Sequence, residues 1–325
     1  MKIFVTGATG YIGNVMVEHA VLAGHTVEGL ARTQERAAKV LRLGAAPIIG
    51  DLQSFDVLQA AASRADAVLH LAYIHDFSLD YSIVVDTEVK AVTALAKGAK
   101  DKPIITTSGT ALATPAPDGG LTAETASINE GFVLGKRIHA ERAVLDLAKQ
   151  GAHVVSVRLP QYVYGRGGSF FVPMLMQQAA KHGLSAWIEG PVKRTSAVDV
   201  DDAARFYLAA AKSAPAGSLY ICTGETDVTT RQLAEAIGQA VDVPARGLPR
   251  AEVERLWGAF LTGFADYDNR ASSAKAQREL GWRPQAKYGL LADITTGSYS
   301  ELARQLRQQR GGSAGQTQTG AAPSL

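Results

Sequence analysis

Gly7, Gly10 and Gly13 stand between an apolar run and a helical pattern, in the segment 6–13 that reads TGATGYIG. Glycine lets a backbone turn sharply and approach a pyrophosphate, whose charge then rests on the helix N-terminus. Strand before, helix after and a second strand about 20 residues on are the context in which this spacing binds a dinucleotide. Tyr11 and Ile12 fall inside the same loop. The end of the second strand should read the adenosine ribose, where an acid suits a free 2′-hydroxyl. Ala31 stands near that position, Arg32 follows it, and Arg36 lies one helical turn beyond. A guanidinium suits a 2′-phosphate, so the expected cofactor is NADP, with NAD as the alternative.

A second glycine-rich stretch, 162–171, reads YVYGRGGSFF. It should leave the sixth strand at its C-terminal end, where open α/β sheets bind ligands. Its aromatics suit an apolar or aromatic substrate, or else pack only against the loop itself. The seven histidines form no HExxH-type set, and no metal site is expected. Cys222, in LYIC, reads as a buried strand thiol rather than a nucleophile.

The elements that would position these residues alternate. Strand candidates at Lys2–Thr6, Thr26–Ala31, 47–49, 67–71, 103–107 and 153–158 are near-continuous apolar runs, as a parallel sheet covered on both faces requires. Helix-length stretches such as 13–23 and 33–43 lie between them. The expected fold is α/β: a doubly wound parallel Rossmann sheet built of right-handed βαβ units. From about Gly167 helix candidates dominate, at 172–182, 202–212, Thr230–Val241 and 251–261. The expected division is a dinucleotide-binding domain over 1–165 and a smaller mixed α/β substrate cap over 166–307. Some strands of the cap should return to the sheet. The tail 308–325, rich in Gly, Ser, Gln and Thr, is expected to be disordered.

The chain has 325 residues, of which 46% are hydrophobic and 20% charged, which suits a core of this size. Lys plus Arg number 33 against 31 Asp plus Glu, so a net charge of +2 gives nucleic-acid binding little support. A single cysteine excludes an internal disulfide framework, and no run is long and apolar enough for a membrane span. The expected compartment is the cytoplasm, and the expected partner is a small-molecule substrate, with neither nucleic acid nor membrane.

The order of motifs resembles the short-chain dehydrogenase/reductase superfamily in its extended or atypical branch, the NAD-dependent epimerase/dehydratase family. TGATGYIG is similar to that branch's phosphate loop, and Gly50-Asp51-Leu52 to the segment whose Asp contacts adenine. His70-Leu71-Ala72 resembles the strand end beside the nicotinamide ribose. Arg158-Leu159-Pro160 through Val163-Tyr164-Gly165 is similar to the "R-P…VYG" segment, with slightly altered spacing. Asp199 to Arg205 is similar to "HVDDAAR", with Asp199 in place of His, and 280–284 to "LGWRP". The resemblance spans about residues 1–295 and makes a homodimer the expected assembly. Arg194 lies where sugar-nucleotide epimerases of the branch place a phosphate-binding Arg, without a further basic cluster beside it. Trp187, Trp257 and Phe260 are expected in a helical core of the cap.

The family uses a Ser or Thr, and a Tyr and Lys spaced YxxxK. The resemblance assigns Ser108 to orient the substrate oxygen and Lys136 to hold the nicotinamide ribose. At the tyrosine position stands Phe132, which has no titratable hydrogen. Three readings follow. The chain is an oxidoreductase acting on a small, hydrophobic carbonyl, alcohol or enone, with a proton donor displaced to His139, Tyr73 or Tyr162, or supplied by Lys136, water or substrate. It is a redox-neutral epimerase or lyase. Or it is a dinucleotide-sensing regulator of the NmrA type. The first is the leading expectation, with Tyr73, Tyr162 and Arg194 facing substrate.

Overall fold

In the computed structural model, residues 1–74, 80–129, 131 and 135–316 are described, with side chains through Arg310. The first half alternates strand and helix: β1 Lys2–Thr6, α1 Tyr11–Leu22, β2 Thr26–Ala31, α2 Gln34–Arg42, β3 Ala46–Ile49, α3 Phe55–Arg64, β4 Ala67–His70, α4 Tyr81–Ala99, β5 Ile104–Gly109, α5 Arg137–Lys149 and β6 Val154–Leu159. The second half continues with β7 Tyr162–Tyr164, α6 Phe171–His182, β8 Ser185–Ile188, β9 Arg194–Asp199, α7 Val200–Ser213 and β10 Leu219–Ile221. It ends with β11 Glu225–Thr229, α8 Thr230–Val241, β12 Ala245–Leu248, α9 Arg250–Ala265, α10 Ala274–Glu279, α11 Leu290–Thr296 and α12 Ser300–Gln316.

A seven-stranded sheet runs in the order β10-β6-β5-β4-β1-β2-β3, every pairing parallel. Successive strand residues point to opposite faces, and both faces are covered. Ile3, Val5, Leu69, Ile105 and Val155 meet α1, α2 and α7. Phe4, Leu30, Val68, Ile104 and Val154 meet α3, α4 and Val144 of α5. This is the doubly wound sheet expected from the apolar runs. Its strand order reverses between β1 and β4, and the crevice at such a switch point is where ligands bind.

The cap has its own core, built from Tyr162, Val172, Met176, Leu233, Ile237, Leu261 and Leu290. Two small sheets flank it, β11-β9-β7 and β12-β8. The chain returns from the cap twice: α7 packs on the face that α1 also covers, and β10 adds the seventh strand beside β6. Asp199 caps α7, its Oδ1 accepting from Asp201 N at 2.8 Å, and Thr229 with Gln232 forms a capping box on α8. The expectation of disorder from residue 308 is corrected for part of its length, because α12 runs to Gln316. Arg310 donates to Val241 O at 3.0 Å and to Asp242 O at 2.7 Å, meeting the open carbonyls at the end of α8. Residues 317–325 lie outside the described residues. Trp187 stands in strand β8 rather than in a helix, under the Arg231 guanidinium.

Beneath β5 and β6 lies a buried ion pair. Arg158 Nε and Nη2 donate to the two Glu141 oxygens at 3.0 and 2.5 Å, and both side chains are almost wholly excluded from solvent. Removing one partner of such a pair strands the other charge in an apolar medium. Glu141→Ala is therefore expected to destabilise the chain by about 3–5 kcal/mol, measured as the shift in a urea unfolding midpoint. An unchanged midpoint would show that water already reaches Arg158.

Candidate active site

The loop after β1 has the shape of a phosphate cradle. Gly7 has φ +70°, and a Cβ there would lie 2.7 Å from Ala72 N. A Cβ on Gly13 would lie 2.0 Å from Gly7 O, so helix α1 and the loop touch through bare backbone. Gly10 N donates to Gly7 O at 2.9 Å and closes the turn. Gly10 also begins α1 with no capping side chain, and the first turn carries no acid. The leading peptide N–H groups of the helix thus keep their attraction for an anion. Tyr11 leaves this loop toward the cap, and its hydroxyl donates to Gly165 O at 2.8 Å. Burial raises its phenol above the ordinary value. Ile12 is half-buried against the core below.

At the end of β2, Arg32 and Arg36 are both exposed. Arg36 Nη1 reaches Thr9 O at 3.4 Å, and Lys39 Nζ reaches the same oxygen at 3.1 Å. Two cations therefore meet the phosphate loop at Thr9 O, and Arg32 stands at the end of β2 before them. After β3, Asp51 accepts from Ser54 Oγ at 2.8 Å and Gln53 N at 3.0 Å, and the hydroxyl of Ser54 above all holds its carboxyl below the usual range. Leu52 beside it is half-buried.

The ends of β4 and β5 are joined by a buried polar network. His70 Nδ1 lies 2.8 Å from Thr6 Oγ1, and that oxygen accepts from Ala72 N at 3.2 Å. With the Thr6 hydroxyl as the donor to Nδ1, the imidazole proton sits on Nε2. That nitrogen faces Glu88 Oε1 at 3.2 Å. Thr107 Oγ1 donates to His70 O at 2.9 Å and lies 2.7 Å from the Tyr207 hydroxyl. Leu71 and Ala72 are half-buried against Gly7.

Ser108 is 5% exposed, and its Oγ has no hydrogen-bond partner among the described residues. It lines a cleft with Glu88, Thr107, Arg137, Glu141 and Ser156. Arg137 enters this cleft from the first turn of α5. Its Nη2 donates to Thr107 O at 2.9 Å, and its guanidinium lies 4.0 Å from the centre of the Tyr73 ring. The Tyr73 hydroxyl is 2.5 Å from that of Tyr81, the first residue of α4. Lys136 immediately precedes α5 and is exposed on the rim, on the side of Asp80. His139 is exposed on α5. Phe132 lies outside the described residues.

The remaining candidates sit in the cap. Tyr162 is buried edge-on against Phe264 at 5.8 Å, and Phe171 stacks on both Phe264 and Phe260. The aromatics of 162–171 therefore pack with those of α9. Arg194 is half-exposed on β9, 3.9 Å from Asp227. Trp187 and Trp257 line a separate apolar pocket between α6, α8 and α9. Cys222 is fully buried, and burial pushes its thiol well up, as an inert strand residue requires.

Residues 3–222 match the family model described as NAD dependent epimerase/dehydratase family. The chain belongs to that family. A Schizosaccharomyces pombe protein, Uncharacterized protein C2A9.02, is 35% identical over 92% of this chain and 100% of its own length. The 4-hydroxy-2-methyl-3-oxo-4-farnesyl-3,4-dihydroquinoline-1-oxide ketoreductase of Stigmatella aurantiaca is 29% identical, covering 87% of this chain and 92% of that one. The Thermus thermophilus UDP-glucose 4-epimerase in complex with NAD superposes with a TM-score of 0.72 at 20% identity, over 92% of this chain and 98% of the other, and shares the fold.

Within this family member, sequence reasoning passed over Lys39, Tyr81, Glu88 and Arg137. Lys39 follows Arg36 by three residues, a spacing that puts both on one helix face. The other three carry no spacing signal, because separate elements bring them together. The Thr6–His70 contact is a direct test of the network. Thr6→Val is expected to orphan His70 Nδ1 and Ala72 N, at about 1–3 kcal/mol for each, read from urea unfolding. Thr6→Ser should restore most of the loss. Equal stability of wild type and Thr6→Val would show that the network does not hold the two strand ends together.

Proposed function

We propose that the chain is an NAD(P)(H)-dependent oxidoreductase that acts on a small, hydrophobic carbonyl, alcohol or enone. The observation that carries this reading is the buried, unpaired Ser108 hydroxyl at the end of β5, on the sheet whose β1 ends in the glycine cradle. A hydroxyl left without a partner in a buried cleft costs free energy unless a ligand oxygen meets it. Family membership and the ketoreductase relative support the reaction class.

The residues present fit a dinucleotide. Gly7, Gly10, Tyr11, Ile12 and Gly13 would take the pyrophosphate, Asp51 and Leu52 the adenine, and Leu71, Ala72 and Lys136 the nicotinamide ribose. Arg32, with Arg36 and Lys39 behind it, would take a 2′-phosphate, which favours NADP over NAD. Bound there, the cofactor supplies or accepts the hydride. Ser108 donates its hydrogen bond to the substrate oxygen and fixes the carbonyl plane. Lys136, exposed just before α5, would meet the ribose hydroxyls.

The cap supports a substrate without a nucleotide. Arg194 is within ion-pair distance of Asp227, and the chain that leaves β6 carries Tyr162 into an aromatic group with Phe171, Phe260 and Phe264.

Titration with NADPH and NADH, followed by turnover on a panel of aldehydes, ketones and enones, tests the reading. Wild type should bind NADPH the tighter of the two. Arg32→Ala should weaken NADPH alone by roughly 10–100-fold, as loss of a charge-assisted bond implies. Ser108→Ala should abolish turnover while binding cofactor normally. Tighter binding of NADH would overturn the cofactor preference, and no turnover on any panel member would overturn the activity.

A further inference from the structure

Arg137, which lines the cleft of Ser108, touches a phenol that in turn touches a second phenol. The Tyr73 hydroxyl lies 2.5 Å from the Tyr81 hydroxyl, at the short end of the O–H···O range. The Arg137 guanidinium lies 4.0 Å over the Tyr73 ring and at the same time donates to Thr107 O, the residue before Ser108. One planar cation therefore spans the Tyr73 ring and the strand end that carries Ser108. Tyr73 itself follows Leu71 and Ala72, the strand end against the phosphate loop. His139 is exposed and Tyr162 is buried among cap aromatics, which leaves Tyr73, of the three candidate donors, in contact with a cation that lines the cleft.

We propose that Tyr73 is the proton donor of this site, that Arg137 stabilises the phenolate it leaves, and that Tyr81 refills it from solvent. The proposal rests on the oxidoreductase reading above. As hydride reaches the carbonyl carbon from the reduced dinucleotide, the C=O π pair moves onto oxygen. That oxygen forms a bond to the Tyr73 hydroxyl proton, and the Tyr73 O–H bond breaks. The phenolate takes the Tyr81 hydroxyl proton, and Tyr81 recovers one from water. Carbon is reduced by two electrons, the dinucleotide is oxidised by two, and one solvent proton is consumed.

The surroundings suit these roles. Burial raises the Tyr73 phenol, Arg137 from α5 pulls it down, and Tyr81 and Glu88 from α4 raise it. A phenol held protonated across the physiological range is a donor, and a cation over the ring lowers the cost of the charge left behind. Tyr73 is the catalytic residue here; Arg137 and Tyr81 are positioning residues.

The test uses full-length protein with NADPH and the best substrate of the panel. Tyr73→Phe should lower kcat by about 10²–10⁴-fold with KM and the NADPH Kd nearly unchanged. Tyr81→Phe should lose less, roughly tenfold. Arg137→Met should lower kcat with KM and the NADPH Kd nearly unchanged, and Arg137→Lys should partly restore it. Circular dichroism confirms that each variant is folded. Without cofactor, proton NMR of wild type should show a downfield, slowly exchanging hydroxyl resonance that both phenylalanine variants lose. Full kcat in folded Tyr73→Phe, or a resonance that survives in it, overturns the proposal. A wild type that binds NADPH but reduces nothing defeats the oxidoreductase reading and the proposal with it, whereas an active wild type matched by Tyr73→Phe defeats the proposal alone.

Discussion

The site depends on one close approach, that of the Gly7 backbone to the end of β4. No side chain fits between Gly7 and Ala72, and none between Gly13 and Gly7. This contact brings the ends of the two strands at the switch point together, and the polar side chains beyond them follow. Thr6, the last residue of β1, is thereby within reach of His70, the last of β4. His70 faces Glu88 of α4, and its carbonyl accepts from Thr107 of β5. Thr107 in turn meets Tyr207 of α7. Buried polar groups are costly unless satisfied, so each link makes the next one necessary. The network fixes the height at which Ser108 stands relative to the cradle.

The second constraint is the tie between cap and sheet. Tyr11 of the phosphate loop donates to Gly165, and Arg166 makes paired bonds to Glu18 of α1 and to Asp201 of α7. Gly167 N is met by Ser298 Oγ, and Tyr299 donates to Gly168 O. The loop after β7 is thus held by the first helix, by α7 and by the segment before α12. Since α7 and β10 also belong to the sheet layers, the cap cannot swing as an independent body about a single linker. The helix α7 and the strand β10 are shared between cap and sheet.

The parallel sheet was legible because its strands are short apolar runs buried on both faces, a pattern that admits few alternatives. The cradle was legible because Gly7 and Gly13 are positions where only backbone fits. The tail was not, because the composition of 308–316 favours disorder while Arg307 and Arg310 find carbonyls at the end of α8 that no local signal announces. Tyr81 and Glu88 were invisible for a similar reason. They lie on α4, and only the sheet order shows that α4 covers the ends of β4 and β5. The aromatics of 162–171 were legible as a group, but their partners on α9 were not.

Lys136 and Arg137 show how a one-residue phase decides chemistry. Neighbours on a helix point about 100° apart at 3.6 residues per turn. The face of α5 turned to the sheet carries Arg137, Glu141 and Val144; Glu141 is fixed there by Arg158, and Val144 packs in the core. Arg137 lies one turn before Glu141 on that face and so enters the cleft, while Lys136 and His139 fall outside it. The difference is chemical as well as geometric. A guanidinium is flat, so it can lie over the Tyr73 ring and still donate edge-on to Thr107 O. A lysine ammonium is a point charge that would have to choose between those partners. The buried Arg158–Glu141 pair, at the inner wall of the same cleft, thus helps to hold the phase of α5 that brings Arg137 to the phenol.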